Sequence, residues 1–218
     1  MKEKNQKNQK SYSPEMYDEA QMNAVEEHIA AQFGEFPSVL HELVSPDIHV
    51  DICVIPPTPE RNHYTLVTMG MGAHLMNVPG SLRKQKLERA EIVVTLPPDW
   101  DVHNNDECWY WPLRWLKILA RLPGENDTWL GYGHTVPNGG PFADNTELCC
   151  ALLLEPYPFG EAAAICTLPN GDAVNFYQMI PLYESEVQYK IKNGAEALEK
   201  LFPDDYDMVL DIHRESVV

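Results

Sequence analysis

The sequence has no apolar run approaching the roughly 20 residues that a membrane-crossing helix needs. Its longest, Cys149–Leu154, has the length of a buried strand. It also lacks any CxxC pair: the five cysteines, Cys53, Cys108, Cys149, Cys150 and Cys166, are odd in number and irregularly spaced. The basic start MKEKNQKNQK is not followed by the apolar segment of a secretory leader. Reduced thiols and a cytoplasmic location are therefore expected. No P-loop, GxGxxG, GxSxG or HExxH is present, which removes the usual nucleotide-binding, serine-hydrolase and zinc-protease chemistries. Positive charge is scarce, with 16 Lys and Arg against 33 Asp and Glu and a net charge of −17. The first ten residues hold four lysines and one glutamate, so the remainder carries −20. Such a body repels nucleic-acid phosphates, and it favours fast, salt-sensitive association with basic partners.

What is present is an ordinary globular composition, 44% hydrophobic and 22% charged over 218 residues, enough for a sizeable core. The richest stretch runs from His49 to Met71, and its first strand starts at Ile48. IHVDICVIP alternates, with Ile48, Val50, Ile52 and Val54 on one face and His49, Asp51, Cys53 and Ile55 on the other. Pro56-Pro57-Thr58-Pro59 then makes a stiff turn, because proline fixes φ and removes donors. The polar connector Glu60, Arg61, Asn62 and His63 leads into a second strand, Tyr64–Met69, and a GMG loop.

Elsewhere the pattern predicts a helix over Pro14–Phe33, N-capped by Ser13 with Pro14 at its first position and stopped by Gly34. Val39–Val44 reads as a short strand and Met71–Gln85 as a loop. Ala90–Leu96 reads as a central strand. Asn104–Leu122 reads as a helix, kinked or restarted at Pro112 and ended by Pro123-Gly124. Trp129–Phe142 is a glycine-rich loop and Leu148–Leu154 a strand. Ala162–Leu168 and Ala173–Ile180 form a hairpin across Asn170-Gly171, whose glycine supplies the positive φ. Two helices, Tyr183–Lys192 and Gly194–Phe202, and a last strand at Met208–Ile212 complete the pattern. With neither repeats nor a low-complexity linker, the expectation is a flexible basic tail, 1–12, and a single compact domain, 13–218.

Three constellations could carry chemistry. His49 and Asp51 share a strand face and could join His63 around a metal, or could equally be a hydrogen-bonded pair. Cys108 could be activated by His103 or His134, although its aromatic-rich helix favours burial. The loop GYGHTVPNG holds His134 and Asn138 on a constrained backbone, either as a binding loop or as a tight connection. Trp109, Tyr110, Trp111 and Trp115 have helical core spacing, whereas Trp100 and Trp129 lie in loops and are the expected exposed anchors. No motif calls for a cofactor or metal.

The His49–Met71 stretch resembles the signature of the suppressor-of-fused (SUFU) domain family. WPLRWLKILARLP, LGYGHTVPNG, ELCCALLLEP, FYQMIPLYESEVQYKIKNGAEALEKL and the closing DIHRESVV are similar to its successive blocks in order. The resemblance covers roughly residues 15–215. It implies an α/β (α+β) fold, a mixed sheet flanked by helices, with no known catalysis and no cofactor. The bacterial single-domain branch fits this length. Animal members hold an extended peptide between two domains. Leu122 and Gly133 stand where the resemblance would place their aromatic and acidic peptide contacts, so that specificity does not transfer. Bacterial members are proposed as immunity proteins against polymorphic toxins. The expected role is a non-catalytic protein-binding module for a basic toxin domain or peptide, with Arg61, Trp129, Tyr132, His134 and Asn138 as contacts. An enzyme using His49, Asp51, His63 or His134, or a cellular regulatory scaffold, is the alternative.

Overall fold

The middle of the molecule is the strand Ala90–Leu96, every residue of which is buried. Burial on both faces requires cover on both, and the sheet around this strand has it. The computed structural model describes residues 13–218; the expected basic tail, 1–12, lies outside the described residues. Eight strands form one mixed sheet: β1 (Ser38–Leu40), β2 (Asp51–Ile55), β3 (Tyr64–Met69), β4 (Ala90–Leu96), β5 (Thr135–Pro137), β6 (Cys150–Leu154), β7 (Ile165–Thr167) and β8 (Ala173–Leu182). Their order is β1-β2-β3-β4-β8-β6-β5, with β7 also paired to β8. β4 runs parallel to β8, and the other named pairs are antiparallel.

The helices are α1 (Glu19–Gln32), α2 (Glu107–Asn126), α3 (Glu184–Asn193) and α4 (Ala195–Glu199). Side chains alternate along strands, so β4 sends Ile92 and Val94 to one face and Val93 to the other. On the first face α2 lays Trp111, Trp115, Leu116 and Leu119 over Ile52, Leu66, Ile92 and Leu153. On the second, α1 brings Val25, Ile29 and Phe33 against Cys53, Val67 and Phe176. Farther along the second face, Val187, Leu198 and Phe202 cover Leu152, Leu154 and Ile180. The expected fold, a mixed α/β sheet flanked by helices, is the observed one.

Several expected boundaries move. α1 begins at Asp18, whose side chain accepts from Gln21 N at 2.8 Å while Gln21 reaches back to Asp18 N at 3.1 Å. This reciprocal cap outcompetes Ser13-Pro14. Residues before it run extended, with Glu15 bridging Ile48, and Tyr17 is drawn to a buried carboxylate. The expected strand Val39–Val44 ends at Leu40. Asp51 accepts from Glu42 N at 2.9 Å and Arg121 takes Glu42 Oε1 at 2.6 Å, so side chains replace the ladder and Leu43 and Val44 stand 95% and 80% exposed.

α2 continues past Pro123-Gly124 to Asn126 and closes at Asp127 with φ 49°, because a proline removes one helical bond without forbidding the next turn. Pro112 frees the Cys108 carbonyl, which accepts from Asn145 Nδ2 at 3.3 Å. β2 has no open polar face: all five residues are buried. Met208–Ile212 contributes only a bridge from Val209 to Thr95. Trp100, expected to be exposed, is 6% exposed and donates from Nε1 to Trp109 O at 2.9 Å. No described helix is long and apolar enough to cross a membrane.

Candidate functional site

The loop after α2 is built around one indole. A Cβ on Gly131 would lie 2.6 Å from the Trp129 ring, so the ring can fold back only over a glycine. The His134 imidazole meets that ring edge-on, with centroids 4.3 Å apart. Burial and the nearby Lys190 ammonium lower the His134 pKa, which keeps the imidazole neutral at neutral pH. Gly133 N donates to Leu153 O at 2.7 Å while Leu153 N donates to His134 O at 3.0 Å. Two residues thus oppose one, a bulge that Gly133 accommodates at φ +75°. The bulge turns Tyr132 towards α4, where its hydroxyl donates to Glu199 Oε2 at 2.7 Å.

Gly131→Ala should therefore displace the indole without unfolding the domain. The expected result is a changed Trp emission maximum and quenching rate, with a thermal midpoint within a few degrees, since the change is local. Unaltered fluorescence would show that the ring does not need the glycine.

Two adjoining cavities open beside Tyr132. One, of about 400 Å³, is lined by Leu82, Leu87, Trp129, Tyr132, Glu155 and Tyr177, among others, and Ile165 stands half exposed at it. The other, of about 470 Å³, is lined by Tyr132, Glu155, Tyr157, Glu196, Glu199 and Lys200. Tyr132 and Glu155 belong to both, so the two make one groove, aromatic at one end and acidic at the other. Burial and the Glu155 carboxylate push the Tyr177 phenol up to about 12. Burial, Glu199 and Glu155 do the same for Tyr157. Tyr132 is raised by burial and Glu199.

Of the five expected contact residues, the structure brings Trp129, Tyr132 and His134 together. Asn138 lies at the far end of β5 and donates from Nδ2 to Gly140 O at 3.0 Å and Pro141 O at 2.7 Å, holding that turn. Arg61 stands elsewhere, bonding the Phe33 carbonyl at the end of α1 and lying over the Phe159 ring at 5.9 Å. Phe159 is two residues from Tyr157, so Arg61 braces the turn that carries one groove wall rather than lining the groove. The sequence reading missed Glu155, Tyr157, Tyr177, Glu196 and Glu199. Only the i, i+3 pair Glu196 and Glu199 left a local signal.

The other constellations come apart. Asp51 meets His49 Nε2 at 3.2 Å and His41 Nδ1 at 2.8 Å, and Ser45 Oγ lies 2.7 Å from His49 Nδ1. His63 is not among them: it precedes β3 beside Tyr64, whereas Asp51 pairs with Met69 at that strand's other end, and its ring packs edge-on against Phe159. Among the described residues no three His, Cys, Asp or Glu side chains are placed to hold a metal. Cys108 is partly exposed, not buried as its setting implied. Desolvation and the Asp106 and Asp144 carboxylates raise its thiol pKa, and His134 is committed to Trp129.

Fold and site together define an α/β domain whose mixed sheet is covered on both faces by helices and which carries an open aromatic–acidic groove. The family model for suppressor of fused protein (SUFU) matches residues 46–215, and the chain belongs to that family. An uncharacterized protein of Ureaplasma parvum serovar 3 is 28% identical over 205 residues, covering 93% of this chain and 98% of its own. The crystal structure of a SUFU homolog from Neisseria gonorrhoeae FA 1090 matches with a TM-score of 0.67 at 19% identity, covering 91% of this chain and 97% of that one. The Sufu–Fu complex matches at 0.64 and 15% identity, with 94% and 93% covered. Drosophila Suppressor of Fused matches at 0.64 and 17%, with 91% of this chain but 51% of that one covered.

Proposed function

We propose that this chain is a non-catalytic protein-binding module that captures a basic partner in the groove beside Trp129. The observation that carries the reading is the groove itself. Trp129, Tyr132, Tyr157 and Tyr177 supply rigid apolar surface, and Glu155, Glu196 and Glu199 supply negative charge. Large aromatics on fixed backbone lose little entropy on binding and recur as binding hot spots. The net charge of −17 adds long-range attraction for a cationic partner. The Sufu–Fu complex, a structure of the same fold, has a protein as its partner, which supports the reading. The partner class proposed is a basic toxin domain, with this chain as its cytoplasmic immunity protein. A cellular regulatory partner is the competing case, and the neighbouring genes discriminate the two.

The test is capture of partners from source-cell lysate at low and at high salt, read by mass spectrometry. One basic protein should be retained at low salt and lost at high salt, because screening removes the steering charge. Trp129→Ala and His134→Ala should each weaken its capture, with Kd rising roughly tenfold or more for an anchor residue. No specific partner at either salt would defeat the reading.

A further inference from the structure

The groove's two ends differ in chemistry, and that difference specifies an occupant. We infer that the groove takes an extended segment of the partner in which an apolar side chain and an arginine or lysine stand two positions apart. This rests on the reading of the chain as a protein-binding module. The aromatic end, with Leu82, Leu87, Trp129 and Tyr177 on its walls, can desolvate one apolar side chain. The acidic end has Lys200 as its one cation against Glu155, Glu196 and Glu199. Tyr132 occupies Glu199 Oε2, while Glu155 and Glu196 carry no side-chain hydrogen bond or ion pair among the described residues.

Three carboxylates against one cation leave the acidic end negative. An incoming guanidinium or ammonium would be paired there and could lie against the Tyr132 and Tyr157 rings, which attract cations. Burial is the main cause of the raised Tyr157 and Tyr177 phenols, and the neighbouring carboxylates, Glu199 and Glu155 for Tyr157 and Glu155 for Tyr177, add to it.

Spacing follows from the shared wall. Tyr132 and Glu155 line both cavities, so the two meet at these side chains. In an extended segment, side chains at i and i+2 point the same way about 7 Å apart, whereas i and i+1 point oppositely. One side chain in each cavity therefore selects the i, i+2 pair. An acidic residue at the second position would meet like charge.

The test is an unbiased heptapeptide phage library panned on the full chain. Enriched sequences should pair an apolar or aromatic residue with Arg or Lys two positions away. A synthetic peptide of that kind should bind roughly tenfold more weakly to the Glu196→Gln, Glu199→Gln variant, the scale expected for losing close charge contacts. Glutamine at 199 still accepts from Tyr132, so the fold should be retained, and an unchanged thermal midpoint checks it. Enriched peptides without a cation, or affinity unchanged in the variant, would overturn the inference while leaving the binding-module reading intact. No enrichment, with a partner still captured from lysate, would likewise remove the groove as the peptide site. Failure of the lysate capture itself is what defeats the broader reading.

Discussion

Glu91→Ala is expected to destabilise the domain by on the order of 4 kcal/mol, because it orphans four buried donors. Glu91 is the second residue of β4 and has no exposed surface. Its Oε1 accepts from Tyr17 OH at 2.8 Å, Gly70 N at 2.9 Å and Gly72 N at 3.1 Å, and Oε2 from Thr68 Oγ1 at 2.5 Å. One carboxyl thus ties the segment leading into α1, strand β3 and the loop after it to the central strand. Equilibrium urea denaturation of the variant measures the loss. Stability within 1 kcal/mol of the parent would mean that water takes over the four donors.

The same group carries a pH dependence. Burial pushes its pKa up to about 7, even though Thr68, Gly70, Gly72 and Tyr17 all favour the carboxylate. The folded value exceeds the unfolded one, so the folded chain holds this proton more tightly. Its contribution is complete below pH about 4.5 and disappears as pH rises through about 7, a change on the order of 3 kcal/mol. Glu91→Gln removes the titration while keeping one acceptor oxygen. Relative to that variant, the parent should be more stable at pH 5 than at pH 8. Parallel stability curves would show that Glu91 keeps one charge state throughout.

Arg214→Ala should cost about 3–5 kcal/mol, the range for breaking a buried ion pair from one side. Its partner Glu186 is wholly buried and accepts a forked pair from Arg214 at 2.5 and 2.6 Å. Glu186 also accepts from Tyr183 N at 2.9 Å and Val217 N at 3.0 Å, while Arg214 donates to Pro181 O at 2.8 Å. The guanidinium lies over the Tyr183 and Phe202 rings, at 5.0 and 5.3 Å. The pair thus fastens the last residues to the end of β8 and the start of α3. Removing the arginine leaves a carboxylate with no counter-charge in an apolar surround. Arg214→Lys should fall between, since an ammonium keeps the charge but not the fork. Denaturation midpoints of the two variants give the order, and equal losses would show that charge contributes nothing beyond the forked geometry.

The local patterns that the sequence carried were those set by neighbours in the chain. Tyr64–Met69 and Ala90–Leu96 are strands over the expected residues, because a run of β-branched and apolar residues bounded by turn residues has few other uses. The hairpin across Asn170-Gly171 formed for the same reason, with Gly171 at φ +86°. What failed was settled by partners far along the chain. Val39–Val44 has strand-like composition, yet Arg121 and Asp51 pull Glu42 out of the ladder. Ser13 is a good helix cap, yet Tyr17 must run extended to reach Glu91, 74 residues on. Trp100 has loop spacing, yet the Trp109 carbonyl and ring bury it.

By itself the sequence determined the class of fold, the strands of its centre, the acidic charge and the family to which the chain belongs. Those properties reside in composition, short-range periodicity and the order of blocks. Only the tertiary structure decided which polar groups meet. Arg61 and Trp129 look equally available in the sequence, but one braces a turn and the other lines a groove. Glu155, Glu196 and Glu199 look like three solvated acids, and the fold gathers them against Tyr132 and Tyr157. The reason is physical. A side chain's secondary structure is set largely within a few residues, whereas its surroundings are set by strand order and by which helix covers which face.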